Sequence, residues 1–212
     1  MVSDFISSKN IALFNENLRH ESPEDIIQFV LQYAEKSVVT TSFGAHSAAI
    51  LYATTHVKAD IQVIWCDTHY NTKATYQHAD KLIEKLKLNV EVFSPLQSNA
   101  ILKSKEELMK LNQDDYNKFA ETVKLEPFKR AMKKHKPDVW FTTVRRKQST
   151  YRDSIDILSL TGDGILKVSP FYYYDDTQIR AYIKEHNLPV EYDYFDPVKI
   201  FGQKECGIQL LN

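Results

Sequence analysis

Residues 37–70 read SVVTTSFGAHSAAILYATTHVKADIQVIWCDTHY. The run SVVTT at 37–41 is β-branched and suits a strand, and IQVIW at 61–65 is a second short apolar strand. Between them a hydroxyl-bearing turn with one glycine leads into a helix over 45–54. Strand, turn, helix and strand make a βαβ unit. Upstream, Ser22-Pro23-Glu24-Asp25 offers an N-cap, a proline at the first helical position and acids in the first turn, which predicts a helix over about 23–35. Downstream the alternation continues with a helix over 73–86, a strand at 90–93, a helix over 126–134 and the strand VWFTT at 139–143. Such alternation predicts an α/β fold, a mostly parallel twisted sheet flanked by helices on both faces. In these sheets ligands sit beyond the carboxyl ends of the strands.

The chain has 212 residues, enough for a sizeable core, and no repeat, linker or low-complexity segment divides it. A single domain over 1–212 is expected. Its 43% hydrophobic and 26% charged residues are a globular balance. No apolar run approaches the roughly 18 residues of a membrane span. The N-terminal stretch lacks a basic region followed by an unbroken apolar one, so no signal peptide is read there and a cytoplasmic protein is expected. With 27 Lys and Arg against 28 Asp and Glu, the net field does not attract nucleic acid, and any anion site must be local. Two cysteines, Cys66 and Cys206, cannot form a four-thiolate iron–sulfur cluster, and the seven scattered histidines do not suggest a zinc site.

Four segments at or beyond the strand ends carry residues with chemistry. Thr41-Ser42-Phe43-Gly44-Ala45-His46-Ser47 at a helix start offers backbone N–H groups to an anion, although an ordinary capped helix start reads the same way. Cys66-Asp67-Thr68-His69-Tyr70 sets an acid, a hydroxyl and an aromatic at the sheet edge. Asp67 could accept from a ribose or an adenine amino group and Tyr70 could stack, or they could serve as a helix cap and a core residue. Cys66 reads as a small buried hydrophobe. Four cations fall between Arg145 and Arg152, in Arg145-Arg146-Lys147-Gln148-Ser149-Thr150-Tyr151-Arg152, directly after a buried strand. They suit bidentate binding of phosphate or sulfate oxygens better than they suit a solvated loop. Near the terminus, Lys199 and Lys204 lie close before Cys206 in sequence, a setting that could lower a thiol pKa and arm a nucleophile.

Together these segments resemble the PAPS (3'-phosphoadenylyl sulfate) reductase family of the adenine nucleotide alpha-hydrolase-like group. Ser42-Phe43-Gly44 is similar to its modified PP-loop, the Asp67-Thr68-His69-Tyr70 segment to its D-T-x-Y, and Lys124-Leu125-Glu126-Pro127 to its K-V-E-P. The Arg145 to Ser149 run with Arg152 is similar to R-R-x-Q-S and the arginine after it. The terminal segment 201–208 is similar to the family's E-C-G motif around Cys206.

The resemblance implies a cytoplasmic homodimer that takes PAPS. Cys206 would be the nucleophile and reduced thioredoxin or glutaredoxin the electron donor. Substrate would meet Ser42, Phe43, Gly44, Ala45, Asp67, Thr68, Tyr70, Lys124, Arg145, Arg146, Gln148, Ser149, Arg152 and Lys204. Where cluster-bearing relatives carry a Cys-Cys pair before K-V-E-P, this chain has Phe119, Ala120 and Glu121, which implies a cluster-free enzyme with no bound cofactor. His46 stands where ATP-using PP-loop enzymes have an acid, which argues against an adenylylating enzyme. The chain departs from the family between residues 192 and 199, where a G-Y-x-S-x-G stretch is missing. The expectation is a shortened, mobile tail over 193–212, with adenylyl sulfate as an alternative substrate.

Overall fold

The computed structural model describes residues 8–96, 105–108 and 110–199. Two helices, α1 (Ser8–Leu18) and α2 (Pro23–Leu31), lead into β1 (Ser37–Thr41), α3 (Ser47–Val57), β2 (Gln62–Cys66), α4 (Lys73–Leu86) and β3 (Asn89–Phe93). A helical excursion follows: α5 (Lys105–Leu108), α6 (Gln113–Ala120), a π-turn segment (Glu121–Leu125) and α7 (Glu126–His135). The chain then returns as β4 (Val139–Phe141), a 3₁₀ turn (Arg146–Gln148), α8 (Thr150–Asp153), the strands β5 (Leu158–Leu160) and β6 (Leu166–Val168), α9 (Asp176–Glu185) and a 3₁₀ turn (Pro197–Lys199).

The sheet runs β3-β2-β1-β4-β6-β5. Every pairing is parallel except that of β5 with β6. From β1 the chain moves outward to β2 and β3 and then crosses to β4 on the other side. The β1/β4 boundary is thus the topological switch point, the place where open α/β sheets hold ligands.

The period-2 alternation of each strand divides the core. Val39, Val63, Trp65, Val139 and Phe141 face the larger cluster under α2, α3, α4 and α9. Val38, Ile64 and Trp140 face the smaller one under α7. Helices therefore cover both faces, as the alternation of elements predicts.

The helix expected over 45–54 begins at Ser47, because Gly44 O receives both the Ser47 N–H at 2.9 Å and its hydroxyl at 2.7 Å, and it runs on to Val57. The strand expected at 139–143 ends at Phe141, and beyond it Thr142 N–H still reaches Val168 O at 2.8 Å. Unforeseen are α1, the β5/β6 pair and the π-turn. The π-turn has a covalent cause. Pro127 has no N–H to give, so the ladder cannot close regularly there, and Glu126 N–H bonds to Glu121 O, five residues back. The helix passes from Gln113 to His135 through this irregular turn.

Candidate anion-binding site

The turn after β1 is built around a left-handed residue. Phe43 sits at φ 51°, its N–H held by Thr41 Oγ1 at 3.0 Å. A non-glycine residue in this region costs roughly 1–2 kcal/mol. That cost is offset by complete burial of the ring, edge-on to Trp65 with centroids 4.8 Å apart. The Phe43 side chain is therefore core. Gly44 sits close under Tyr194, and a Cβ there would lie 3.3 Å from that ring, a tight contact that the ring would have to yield to by a few tenths of an ångström. Among the described residues no acceptor meets the N–H groups of Gly44, Ala45 and His46, and they open α3 with its positive dipole end.

Opposite this turn, the loop after β4 presents Arg145. Its Nη2 lies 3.2 Å from His46 Nδ1 and its Nη1 2.8 Å from Asp176 Oδ1 at the start of α9. Gln148 Oε1 accepts from Arg145 N–H at 3.1 Å and from Arg152 Nη1. Ser149 Oγ caps α8 through Arg152 N–H at 3.2 Å. Gln148 and Ser149 thus order the loop, and Arg145 and Arg152 are both buried. Arg146 turns elsewhere. It pairs with Asp153 at 2.7 Å, lies over the Tyr173 ring and, with Arg145, lines a neighbouring cleft of about 820 Å³ bounded by residues 172–178.

Burial, and then the nearby Arg145 charge, lower the His46 pKa, so the imidazole is neutral near pH 7 and its Nδ1 is an acceptor. The hydrogen bond from Arg145 holds the Asp176 carboxyl below the usual range.

A third contribution comes from the π-turn. Lys124 Nζ lies 2.6 Å from Asp196 Oδ2, with only 8% and 5% of the two side chains exposed. Asp196 Oδ1 also accepts from Val198 N–H at 3.1 Å, and Val198 is buried against Tyr116, Ala120 and Val123. Within the span expected as a tail, Val198 packs onto α6 and Tyr194 lies against the Gly44 turn. Asp196, Tyr194 and Asp176 are absent from the sequence reading because their roles depend on partners more than 30 residues away.

The segment after β2 is largely self-contained. Asp67 Oδ1 accepts from His69 N–H at 3.0 Å and Asn71 Nδ2 at 2.8 Å, and both its oxygens lie 3.0 Å from the Tyr76 hydroxyl. Burial first, and then Asp67, push the Tyr76 pKa up to about 12. Thr68 Oγ1 accepts from Tyr70 N–H at 3.3 Å, and Tyr70 packs edge-on to Phe119. Asp67 is not the cap of the next helix, a place taken by Thr72, whose hydroxyl accepts from Thr75 N–H, while Tyr70 is partly buried against Tyr116, Ala120 and Val123. Cys66 is partly buried against the smaller core. Cys206 and Lys204 lie outside the described residues. Among the described residues no three His, Cys, Asp or Glu gather to hold a metal ion, and no helix is long and apolar enough to cross a membrane.

Segments distant in sequence are thus joined pairwise: Tyr194 lies against Gly44, Arg145 against His46 and Asp196 against Lys124. The family model described as phosphoadenosine phosphosulfate reductase domain matches residues 36–197. The phosphoadenosine 5'-phosphosulfate reductase of Xylella fastidiosa (strain M12) is 35% identical over 182 residues, covering 85% of this chain and 76% of that protein. Its namesake in Zymomonas mobilis is 34% identical over 177 residues, 82% of this chain and 72% of that protein. In fold, the chain is similar to the crystal structure of PAPS reductase from Candida auris in its phosphate complex, with TM-score 0.73, 24% identity and coverage of 87% and 89%.

Proposed function

The chain belongs to the phosphoadenosine phosphosulfate reductase family, and from that premise we propose that it reduces PAPS to sulfite and adenosine 3',5'-bisphosphate, with Cys206 as nucleophile. The observation that carries the reading is the Arg145 guanidinium beside His46 at the start of α3, where among the described residues no acceptor meets the N–H groups of Gly44, Ala45 and His46. These groups suit the phosphates of a nucleotide.

In the first step the Cys206 thiolate attacks the sulfur of the phosphosulfate. An S–S bond forms, the bond from sulfur to the bridging oxygen breaks, and its electron pair leaves on the nucleotide phosphate. Arg145, Arg152 and Lys124 stabilise that developing charge. In the second step a thiolate of reduced thioredoxin or glutaredoxin attacks Cys206 Sγ. Sulfite departs with the bonding pair, and the donor's second thiol resolves the mixed disulfide. The donor is oxidised by two electrons and the sulfur is reduced by two. No cluster takes part, since two cysteines cannot supply one within this chain. A thiol-based reductant suits the reducing cytoplasm. The resemblance adds a homodimer.

The missing stretch between residues 192 and 199 favours a second substrate, adenylyl sulfate, because it removes part of the surface that would meet a 3'-phosphate. A paired sulfite-release assay with the two nucleotides and reduced thioredoxin tests the reading. PAPS is expected to be preferred, and Cys206→Ser to abolish turnover while keeping nucleotide binding. Turnover by that variant would defeat the reading, and preference for adenylyl sulfate would change the substrate.

A further inference from the structure

Arg145 is a cation with little water around it, its side chain 9% exposed, and it is held from two sides. His46, the residue before α3, gives it a neutral acceptor, and Asp176, the first residue of α9, gives it a charge. Arg145 itself follows β4, so three elements converge on one guanidinium. Asp175 fixes the backbone of this corner of α9. Its carboxylate accepts from Gln178 N–H at 2.8 Å, and its own N–H donates to Gln178 Oε1 at 2.9 Å. Asp176 is 60% exposed and, besides Arg145, faces Arg180 at 3.9 Å. A guanidinium has five N–H donors in a planar fork. Asp176 and His46 each take one, which fixes the plane and leaves the others for an incoming anion.

We propose that Asp176 is a positioning residue. With His46 it clamps the Arg145 guanidinium in one orientation at the PP-loop-like turn, so that the nucleotide phosphate meets a pre-aligned fork. The proposal rests on Arg145 being a phosphate ligand, as in the function given above. Asp176 carries the same sign of charge as the ligand, and this makes its role measurable. On Coulomb attraction alone, removing Asp176 tightens binding of a polyanion. If orientation is its contribution, removal weakens it.

The test is calorimetric titration of the whole chain with adenosine 3',5'-bisphosphate. Asp176→Asn is expected to weaken binding about tenfold, the scale of a charge-assisted hydrogen bond. Asp176→Glu should recover it to within about threefold, because it returns a carboxylate to the guanidinium. In an Arg145→Ala background, Asp176→Asn should no longer weaken binding. Tighter or unchanged binding in Asp176→Asn, or equal weakening without Arg145, overturns the proposal. The ¹⁵N resonances of His46 give a readout that needs no nucleotide: the clamp requires the proton on Nε2, and a wild-type spectrum with it on Nδ1 overturns the clamp by itself. A wild-type protein with the expected His46 signature that binds no bisphosphate overturns the functional reading, and the role of Asp176 falls with it.

Discussion

Lys124 and Asp196 show how two opposite charges can be held inside the fold. Two charges so nearly withdrawn from water persist because each faces the other at 2.6 Å. Breaking such a pair from one side is far costlier than replacing both partners by apolar residues. Asp196→Asn is therefore expected to lower unfolding stability by about 3 kcal/mol in urea titration, and Lys124→Met with Asp196→Leu to lower it by much less. Phe43 makes the complementary point. The resemblance implies that Phe43 meets substrate, yet its ring is enclosed beside Trp65 and its left-handed backbone shapes the turn. A sequence motif reports that a position matters without saying whether the side chain or the backbone is what matters. Asp67 teaches the same caution, because its oxygens are committed to His69, Asn71 and Tyr76.

At the scale of elements, the sequence is legible wherever period and caps agree. The helix expected over 73–86 is found as Lys73–Leu86, opened by Thr72 accepting from Thr75 N–H and closed by Lys87 at φ 51°. β1 also lies where its β-branched run predicts. The illegible elements lack a local signal. β5 and β6 are three residues each, too short for alternation to register, and β6 carries Lys167, a charge buried mid-strand with its ammonium 5.9 Å from the Trp140 and Tyr151 rings. The π-turn depends on one missing N–H at Pro127, which in sequence reads only as a helix start. Capping does give a local prediction. Asp175→Ala removes the side-chain half of the α9 capping box, leaving the backbone N–H of residue 175 on Gln178 Oε1, and should cost about 1 kcal/mol of unfolding free energy, measured by urea denaturation.

For the whole molecule, stability should fall toward acid in two stages. His46 and His78 both titrate below the ordinary histidine value, each first because burial disfavours the charged ring. Unfolding returns them to about 6.5, so the unfolded chain binds more protons as pH falls through that value, and stability drops. Glu91, held down first by its hydrogen bond from Lys134, and Asp176, held down first by Arg145, act lower. Their contribution is present above the unfolded carboxylate values of 4.5 and 3.8 and is lost as pH falls through their depressed folded values. The urea midpoint should therefore decrease between about pH 7 and pH 5 and decrease further in stronger acid, and His78→Leu should flatten the first stage. The same architecture sets the chemistry, since one sheet brings the ends of β1 and β4 together and the segments around them supply the cations. Its nucleophile is best sought by mass spectrometry of the Cys206 peptide after incubation with PAPS and no reductant. One sulfonate group on Cys206, released as sulfite when reduced thioredoxin is added, is the expected result. Sulfite formation with Cys206 unmodified, or the adduct found on Cys66, would contradict it.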